Sequence, residues 1–197
     1  MLHTMRLAIP ILLASVVLPS ASRAQVPVFT IIREESSIEF HVNASIALDG
    51  SFGKWAGTLT FTSPDVTTGV LDLQIQADSV NTGSGLKDGK LKGEDFFSVK
   101  QNPVIMFRSK KLIQTGPETF ELQGDFTIRG VSKPETLTLT VSGKGTGSGD
   151  IHGTMAFDRR DYGMNSGIPF IKIADRVEVD VDLVGKRVSG PPIDVSK

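Results

Sequence analysis

The chain contains no cysteine and only three histidines among its 197 residues. The absence of cysteine excludes disulfide bonds, thiol nucleophiles and thiolate metal ligands together. His3, His41 and His152 are too few and too scattered to predict a histidine metal centre. The formal net charge is only −1, so no basic excess predicts a nucleic-acid partner. We therefore expect neither a metal site nor a catalytic cofactor.

Long apolar runs are also scarce, and the one that exists lies at the N-terminus. It covers residues 7–18, follows Arg6, and precedes Ser22 and Ala24, which are small residues suited to a signal-peptidase site. A membrane-spanning helix needs about 20 apolar residues, so the run is too short for an N-terminal anchor. We predict a secretory signal peptide at residues 1–24. A secreted chain without cysteine fits a bacterial periplasm better than a small disulfide-stabilised extracellular module.

Helix-like patterns are rare, whereas alternation of apolar and polar residues recurs along the remaining chain. In the stretch LDLQIQAD, Leu71, Leu73 and Ile75 fall on one face, and Asp72 and Gln74 fall on the other. Such alternation is typical of antiparallel strands that are buried on one face. The pattern returns in SIEFHVN, GTLTFT, the run after Pro103, FELQGDFTIR, TLTLTV, IHGTMAF and VEVDVDL.

The predicted strands determine the fold class, because each of them carries one apolar face. All the apolar faces must meet one another, either in a two-layer sandwich or in a closed barrel. The chain is longer than a minimal sandwich of about 100 residues, which favours the barrel. We therefore predict an all-β fold, in which a closed antiparallel barrel of about eight strands is favoured over a sandwich.

Carboxylates offer one route to catalysis. Asp88, Glu94 and Asp95 cluster in one segment and Asp161 lies in another, and two carboxylates can supply the acid and base of a glycoside hydrolase. Nothing in the spacing requires this chemistry, and nearby lysines and arginines favour surface ion pairs instead. The chain has no Gly-x-Ser-x-Gly motif. A hydrolase of glycan or ester bonds that uses Asp88, Asp95 or Asp161 stays open as an alternative.

The inward face of the predicted strands is rich in phenylalanine. Phe40, Phe61, Phe107, Phe126 and Phe157 all fall on this face, which almost no polar residue interrupts. Such a face builds either a filled core or a tube that holds an apolar ligand. A structural or interaction barrel with a filled core is therefore a second open alternative.

Four stretches resemble one protein family. They are SVNTGSGLKDGKLKGEDFFSVKQNPVIMF, LQGDFTIRGVSKPETLTL, FDRRDYGM and IADRVEVDVDL. Their order and spacing are similar to those of the YceI-like family of bacterial periplasmic polyisoprenoid-binding proteins, over roughly Phe29 to Leu183.

The resemblance implies a secreted, extended, antiparallel, lipocalin-like β-barrel. It also implies that the barrel binds a long isoprenoid lipid, either a polyprenyl lipid or an isoprenoid quinone, without catalysis. It implies no integral membrane segment after signal cleavage, and the oligomeric state stays open between a monomer and a homodimer. The barrel is expected at residues 25–187, followed by a C-terminal tail at 188–197. The residues expected to line the apolar lumen are Phe40, Val42, Phe61, Leu73, Ile75, Leu91, Phe96, Phe97, Phe107, Phe126, Met155, Phe157 and Val179.

With that barrel in place, the segment KDGKLKGEDFFSVKQNPVIMF acquires a role at one mouth. Phe96 and Phe97 would face opposite sides of a strand, whereas a helical turn lets them share one apolar face. We predict a short helical segment at this mouth, with Leu91, Phe96 and Phe97 turned inward and the charges in water. Asp95 is expected to hydrogen-bond the loop backbone.

Two positions depart from the family pattern. Ser36 and Ala44 stand near the places where the family usually has histidines. Polar contacts made by those histidines are therefore not expected in this chain, although an apolar tube does not depend on them.

The signal-peptide prediction fixes the first residue of the mature chain. We expect Gln25, because the peptidase would cleave after Ala24. The mass of the protein recovered from the periplasmic fraction measures this directly. A mass that still includes residues 7–18 would contradict the prediction.

Overall fold

The computed structural model describes residues 25–45, 48–143, 147–167 and 172–194. The segment that is predicted to be a signal peptide lies outside the described residues. The strands are β1 Val28–Ile31, β2 Ser37–Ala44, β3 Leu48–Phe52, β4 Trp55–Thr60, β5 Val70–Gln76, β6 Val80–Asn81, β7 Val104–Gln114, β8 Thr119–Ile128, β9 Val131–Ser142, β10 Ser148–Asp158 and β11 Ile173–Ser189, with one α-helix, α1, at Gly85–Lys92.

The strands form a single antiparallel sheet that closes on itself. The closed ring runs β1-β4-β5-β7-β8-β9-β10-β11 and returns from β11 to β1, while β2, β3 and β6 follow β11 at one end. β1 and β2 both pair with β11, so they act as two pieces of one long strand. The pieces β3–β4 and β5–β6 relate in the same way, which confirms the predicted barrel of about eight strands.

Short breaks divide these three long strands. At the first break the Ser36 hydroxyl donates to the Ile32 carbonyl at 2.7 Å and accepts from the Val184 N–H at 2.9 Å. The other two breaks meet each other, because the N–H of Gly53 donates to the Ser79 carbonyl at 3.2 Å. These side-chain and backbone contacts replace ladder hydrogen bonds where the strands bend, as irregularities in closed sheets commonly do. Ser36 therefore joins β1, β2 and β11.

Burial follows the alternation that the sequence shows. In β8, Phe120, Leu122, Gly124, Phe126 and Ile128 are buried, whereas the residues that alternate with them are exposed or half-buried. The inward faces meet in one continuous apolar cluster along the barrel axis. The free energy that holds the sheet closed therefore comes chiefly from this shared interior.

One inward position of β8 has no room for a side chain. A Cβ added at Gly124 would lie 2.5 Å from the Arg108 carbonyl oxygen and 2.9 Å from the ring of Phe107. The neighbouring strand is irregular here, and the buried Ser109 hydroxyl accepts the Leu71 N–H at 2.8 Å. β7 and β8 therefore approach closely where the ladder bulges.

The close approach makes Gly124 a sensitive position. We expect Gly124→Ala to lower the free energy of unfolding by about 1–3 kcal/mol, because the new methyl group meets backbone that cannot move freely. Chemical denaturation gives the value. Gly89→Ala is the matched control: nothing lies within 4 Å of a Cβ at Gly89, inside α1. That variant should gain about 0.5–1 kcal/mol, and equal effects of the two changes would contradict the account.

Candidate functional site

Within the described part of the chain, two apolar cavities are stacked along the length of the barrel interior. The helix-end cavity, of about 70 Å³, lies beneath α1, and the tail-end cavity, of about 140 Å³, lies at the opposite end. Adjacent inward residues of one strand divide between them: on β5, Leu73 lines the first and Leu71 lines the second. On β9, Leu137 and Leu139 divide in the same way. Leucine side chains therefore separate the two spaces.

The residues predicted to line the lumen fall around these cavities. Phe61 lies apart from the others: it follows the end of β4, is half-buried, and lines the tail-end cavity with its ring 5.6 Å from that of Phe29. The helix-end cavity is lined by the other twelve, namely Phe40, Val42, Leu73, Ile75, Leu91, Phe96, Phe97, Phe107, Phe126, Met155, Phe157 and Val179.

The helix-end cavity is closed by α1 and the turn that follows it. The N–H of Phe97 donates to the Leu91 carbonyl at 2.9 Å, which folds the chain back beneath the helix. Phe96 is only 3% exposed and Phe97 only 9%, and the ring of Phe97 contacts that of Phe52 at 5.8 Å. Adjacent phenylalanines can both face inward because the chain turns here instead of continuing as a strand. The predicted helical segment at one mouth is therefore α1 with the turn that follows it.

The side chain of Arg129 holds the turn from the solvent side. The sequence analysis did not predict this contact. The Arg129 guanidinium donates to the carbonyl of Glu94 at 2.7 Å and to that of Phe96 at 2.6 Å. Arg129 itself has a φ of 55°, in the left-handed region that non-glycine residues rarely adopt. These contacts hold the two inward phenylalanines in place from the solvent side.

The expectation for Asp95 was wrong. Its carboxylate accepts hydrogen bonds from the side chains of Lys90 and Ser166, the latter at 3.0 Å, and not from the loop backbone. The exposed carbonyls of the turn need a donor, which a carboxylate cannot supply, so Arg129 fills that role. The hydrogen bonds from Lys90 and Ser166 lower the pKa of Asp95.

The other candidate acids are also engaged elsewhere. Asp88 accepts the N–H of Thr82 at 2.8 Å and its hydroxyl at 2.7 Å, and these hydrogen bonds lower the pKa of Asp88. Asp161 lies 3.9 Å from Lys133 on the surface. Neither apolar cavity is lined by Asp88, Asp95 or Asp161. A general acid needs a raised pKa, so the lowered values at Asp88 and Asp95 disfavour that role.

The histidines of β2 and β10 lie on the outer surface. His41 is 3.1 Å from Asp49 and 3.2 Å from Asp180, and His152 is 2.7 Å from Asp182. Both histidines face solvent, on the polar face of their strands. Within the described ranges no group of three or more histidine or acidic side chains is arranged to hold a metal ion. The same part of the chain includes no helix of the length and apolarity needed to cross a membrane.

A buried arginine stands at the edge of the helix-end cavity, which the sequence analysis missed. Arg159 is 5% exposed and donates to the carbonyls of Met164, Ala174 and Ser166. It also lies 2.9 Å from the Asp175 carboxylate, which compensates its charge. A buried guanidinium with this many acceptors is satisfied without a ligand. Its role here is to hold the β10–β11 connection against the barrel.

Next to it, Tyr162 is fully buried and donates its hydroxyl to Glu135 at 3.0 Å. Burial, together with the neighbouring carboxylate, raises the pKa of Tyr162, so the phenol stays neutral. Its ring packs edge-on against Phe126 and Phe157, with centroids 5.7 and 5.2 Å away. The tyrosine thus supports two aromatic residues of the cavity wall.

This chain is similar in sequence or in fold to several known proteins. A UPF0312 protein from Shewanella denitrificans is 26% identical over 159 residues, which cover 77% of this chain and 83% of that protein. The crystal structure of BcnA from Burkholderia cenocepacia matches with a TM-score of 0.72 at 21% identity and covers 79% of this chain and 99% of that one. A polyisoprenoid binding domain from Saccharophagus degradans matches with a TM-score of 0.66 at 16% identity, covering 82% and 99%.

At these identities the two structures show a shared fold. The family comparison covers more than the fold, because the family model of the YceI-like domain matches this chain over residues 29–185. That range includes every strand of the closed ring except the first residue of β1 and the end of β11. The protein therefore belongs to the YceI-like family.

Proposed function

We propose that the protein is a non-catalytic periplasmic carrier that binds or sequesters a long-chain isoprenoid lipid, a polyprenyl lipid or an isoprenoid quinone, inside its barrel. The observation that carries the proposal is the pair of apolar cavities along the axis of a closed sheet. Their walls are almost wholly hydrocarbon and aromatic, which suits a ligand without polar groups along its length. The family membership and the printed name of the Saccharophagus domain support the same ligand class.

The energetics of such a ligand depend on how much of it is buried. Each isoprene unit would contribute roughly 3–4 kcal/mol if its five carbons were buried at about 0.8 kcal/mol per CH₂. Association and chain ordering cost an estimated 4–15 kcal/mol. Several units must therefore lie inside the barrel, and chain length would control affinity more than the headgroup does.

The volumes of the cavities set a condition on this proposal. An apolar cavity of about 150 Å³ holds a molecule the size of benzene. The tail-end cavity of about 140 Å³ is of that size, and the helix-end cavity is half as large. A long chain must therefore move the leucine side chains between the cavities and join them into one tube. The side chains that would have to move are those of Leu71, Leu73, Leu137 and Leu139, which lie at adjacent inward positions of β5 and β9.

The same volumes favour a second candidate function, a structural or interaction barrel whose interior is a filled core. Nearly all the inward residues are buried without a ligand, as a filled core requires. The hydrolase alternative has less support, because Asp88, Asp95 and Asp161 lie outside both cavities and make separate surface contacts. Lipid content therefore decides between the two leading functions.

Mass spectrometry of organic extracts from the natively purified protein tests the proposal directly. We expect isoprenoid lipids in the extract, retained through purification without detergent because the barrel shields them from water. A parallel extract from an unrelated periplasmic protein of similar size controls for carry-over. An empty extract, together with failure to take up added isoprenoid, would support the filled-core barrel instead.

A charge in the cavity wall should harm binding and stability together. Phe107 is 3% exposed and lines the helix-end cavity, so Phe107→Asp places an unpaired carboxylate in an apolar site. We expect a loss of several kcal/mol of unfolding free energy, of the order that unpaired buried charges cost, and loss of lipid from the extract. Thermal unfolding and lipid extraction measure the two effects.

The neighbouring residue provides the control for this variant. Met106 is 39% exposed and points outward from the same strand. Met106→Asp should therefore leave stability within about 0.5 kcal/mol and leave the lipid content unchanged. If Phe107→Asp melted normally and retained lipid, Phe107 would not line the site.

A further inference from the structure

The chain beyond β11 crosses the end of the barrel. We call residues 190–194 the tail strap. The C-terminal tail expected at residues 188–197 therefore starts inside β11, which continues to Ser189. Gly190 then turns the chain with a φ of 81°, and a Cβ there would lie 2.1 Å from the Val26 carbonyl oxygen. The turn therefore requires glycine, and it directs the strap back over the barrel end.

The strap is attached at its far end to the loop between β4 and β5. The N–H of Asp194 donates to the Pro64 carbonyl at 2.7 Å, and the N–H of Val66 donates to the Asp194 carbonyl at 3.1 Å. Asp65 and Asp194 are partners in an isolated parallel bridge. At the near end, Arg187 donates to the Gly190 carbonyl at 2.6 Å. The strap therefore spans the barrel end as a short bridge held at both sides.

The strap forms part of the wall of the tail-end cavity. Pro192 and Ile193 line this cavity with Phe61, Val66 and Leu112, and Ile193 is half-buried. The family match ends at residue 185, so the strap lies beyond the part of the chain that the family comparison describes.

The two barrel ends differ in how firmly they are closed. The helix end is closed by three buried apolar side chains, Leu91, Phe96 and Phe97, and the Arg129 guanidinium holds its turn. The tail end is closed by half-buried Ile193, exposed Pro192 and backbone hydrogen bonds. Segments with few buried contacts open at the lowest free-energy cost. The tail end is therefore the easier end to open.

We propose that the tail strap is the gate of the lumen: lipid passes into and out of the barrel through the tail-end cavity when the strap swings away from the β4–β5 loop. The gate rests on the proposed lipid-binding function and specifies its regulation. In the closed position Ile193 forms part of the wall of the tail-end cavity. The hinge is Gly190, and the latch is the pair of hydrogen bonds between Asp194 and the loop at Pro64 and Val66.

A reversible covalent lock tests the gate, because the chain has no cysteine of its own. Bridge partners on adjacent strands lie about 4.7–4.9 Å apart, which is within the 4.4–6.8 Å that a disulfide spans, as a rough guide. The double variant Asp65→Cys/Asp194→Cys therefore fastens the strap when oxidised and frees it when reduced. Asp65 also caps the turn at Val66–Thr68, so Asp65→Cys alone controls for loss of that cap.

The measurement is the transfer of radiolabelled geranylgeraniol from the protein to phosphatidylcholine vesicles. We expect the oxidised double variant to transfer at least about tenfold more slowly than the same protein after reduction, a factor equivalent to ~1.4 kcal/mol in the barrier. The chain truncated after Ser189 should transfer faster than the intact chain. Equal rates for the oxidised and reduced protein would overturn the gate, and would direct attention to the helix end.

A second readout keeps the gate separate from the lipid-binding proposal. Leu112→Cys puts a thiol in the tail-end cavity, and its reaction with an aromatic disulfide reagent reports access to that cavity. Truncation after Ser189 should speed this reaction by about tenfold or more if the strap is a gate. Val141→Cys, also in the cavity wall, serves if Leu112→Cys does not fold. Faster labelling without any uptake of geranylgeraniol would refute the lipid function but support the strap as the part that controls access to the tail-end cavity. Unchanged labelling would refute the gate.

Discussion

The pairing of β11 on both of its edges is the constraint on which the other features of this protein depend. One edge pairs with β10 along eleven residues of the ladder, and the other edge pairs first with β2 and then with β1. This pairing closes the ring, so each strand of the ring has a hydrogen-bonding neighbour on both edges. Closure also brings every apolar face to one side. The cavities exist because the closed sheet encloses an interior. For the same reason, α1 with its following turn and the tail strap can each cover one end of that interior.

Polarity is distributed so that the interior stays apolar while the barrel ends are held by charge. Arg129 donates to two carbonyls of the turn at the helix end. Arg159 joins the carbonyls of Met164 and Ser166 to Ala174 and Asp175 at the start of β11. Both guanidiniums use their fixed geometry of several donors to satisfy backbone that no strand partner reaches. At the tail end a single guanidinium bond, from Arg187 to the Gly190 carbonyl, holds the near side of the strap, and backbone hydrogen bonds hold its far side. The helix end is therefore held by more contacts than the tail end. This difference, more than the shape of the lumen, indicates the end through which a ligand would pass.

The sequence predicted the features that repeat and missed those that occur once. Alternation identified the strands and placed Phe40, Phe107 and Phe126 inward, because a period of two leaves each residue only two faces to occupy. It could not predict that Arg129 contacts Glu94, or that Ser36 contacts Val184, because such contacts join positions far apart in the chain. The role given to Asp95 failed for the same reason. The strap could not be predicted because Pro192 and Ile193 belong to no alternating pattern. Phe61 lies just outside a strand because β4 ends at Thr60, one residue earlier than the alternation indicates.

The position of the closing strand in the chain has a consequence for biogenesis. Val28 pairs with Ser189, so the first strand waits for the last one before the ring can form. During synthesis, every intermediate length exposes two unpaired sheet edges and an uncovered apolar face, which are the features that promote association between chains. The many pairings between distant residues also make folding slow compared with that of a helical domain. The nascent chain is therefore open to association with other chains until β11 has been made.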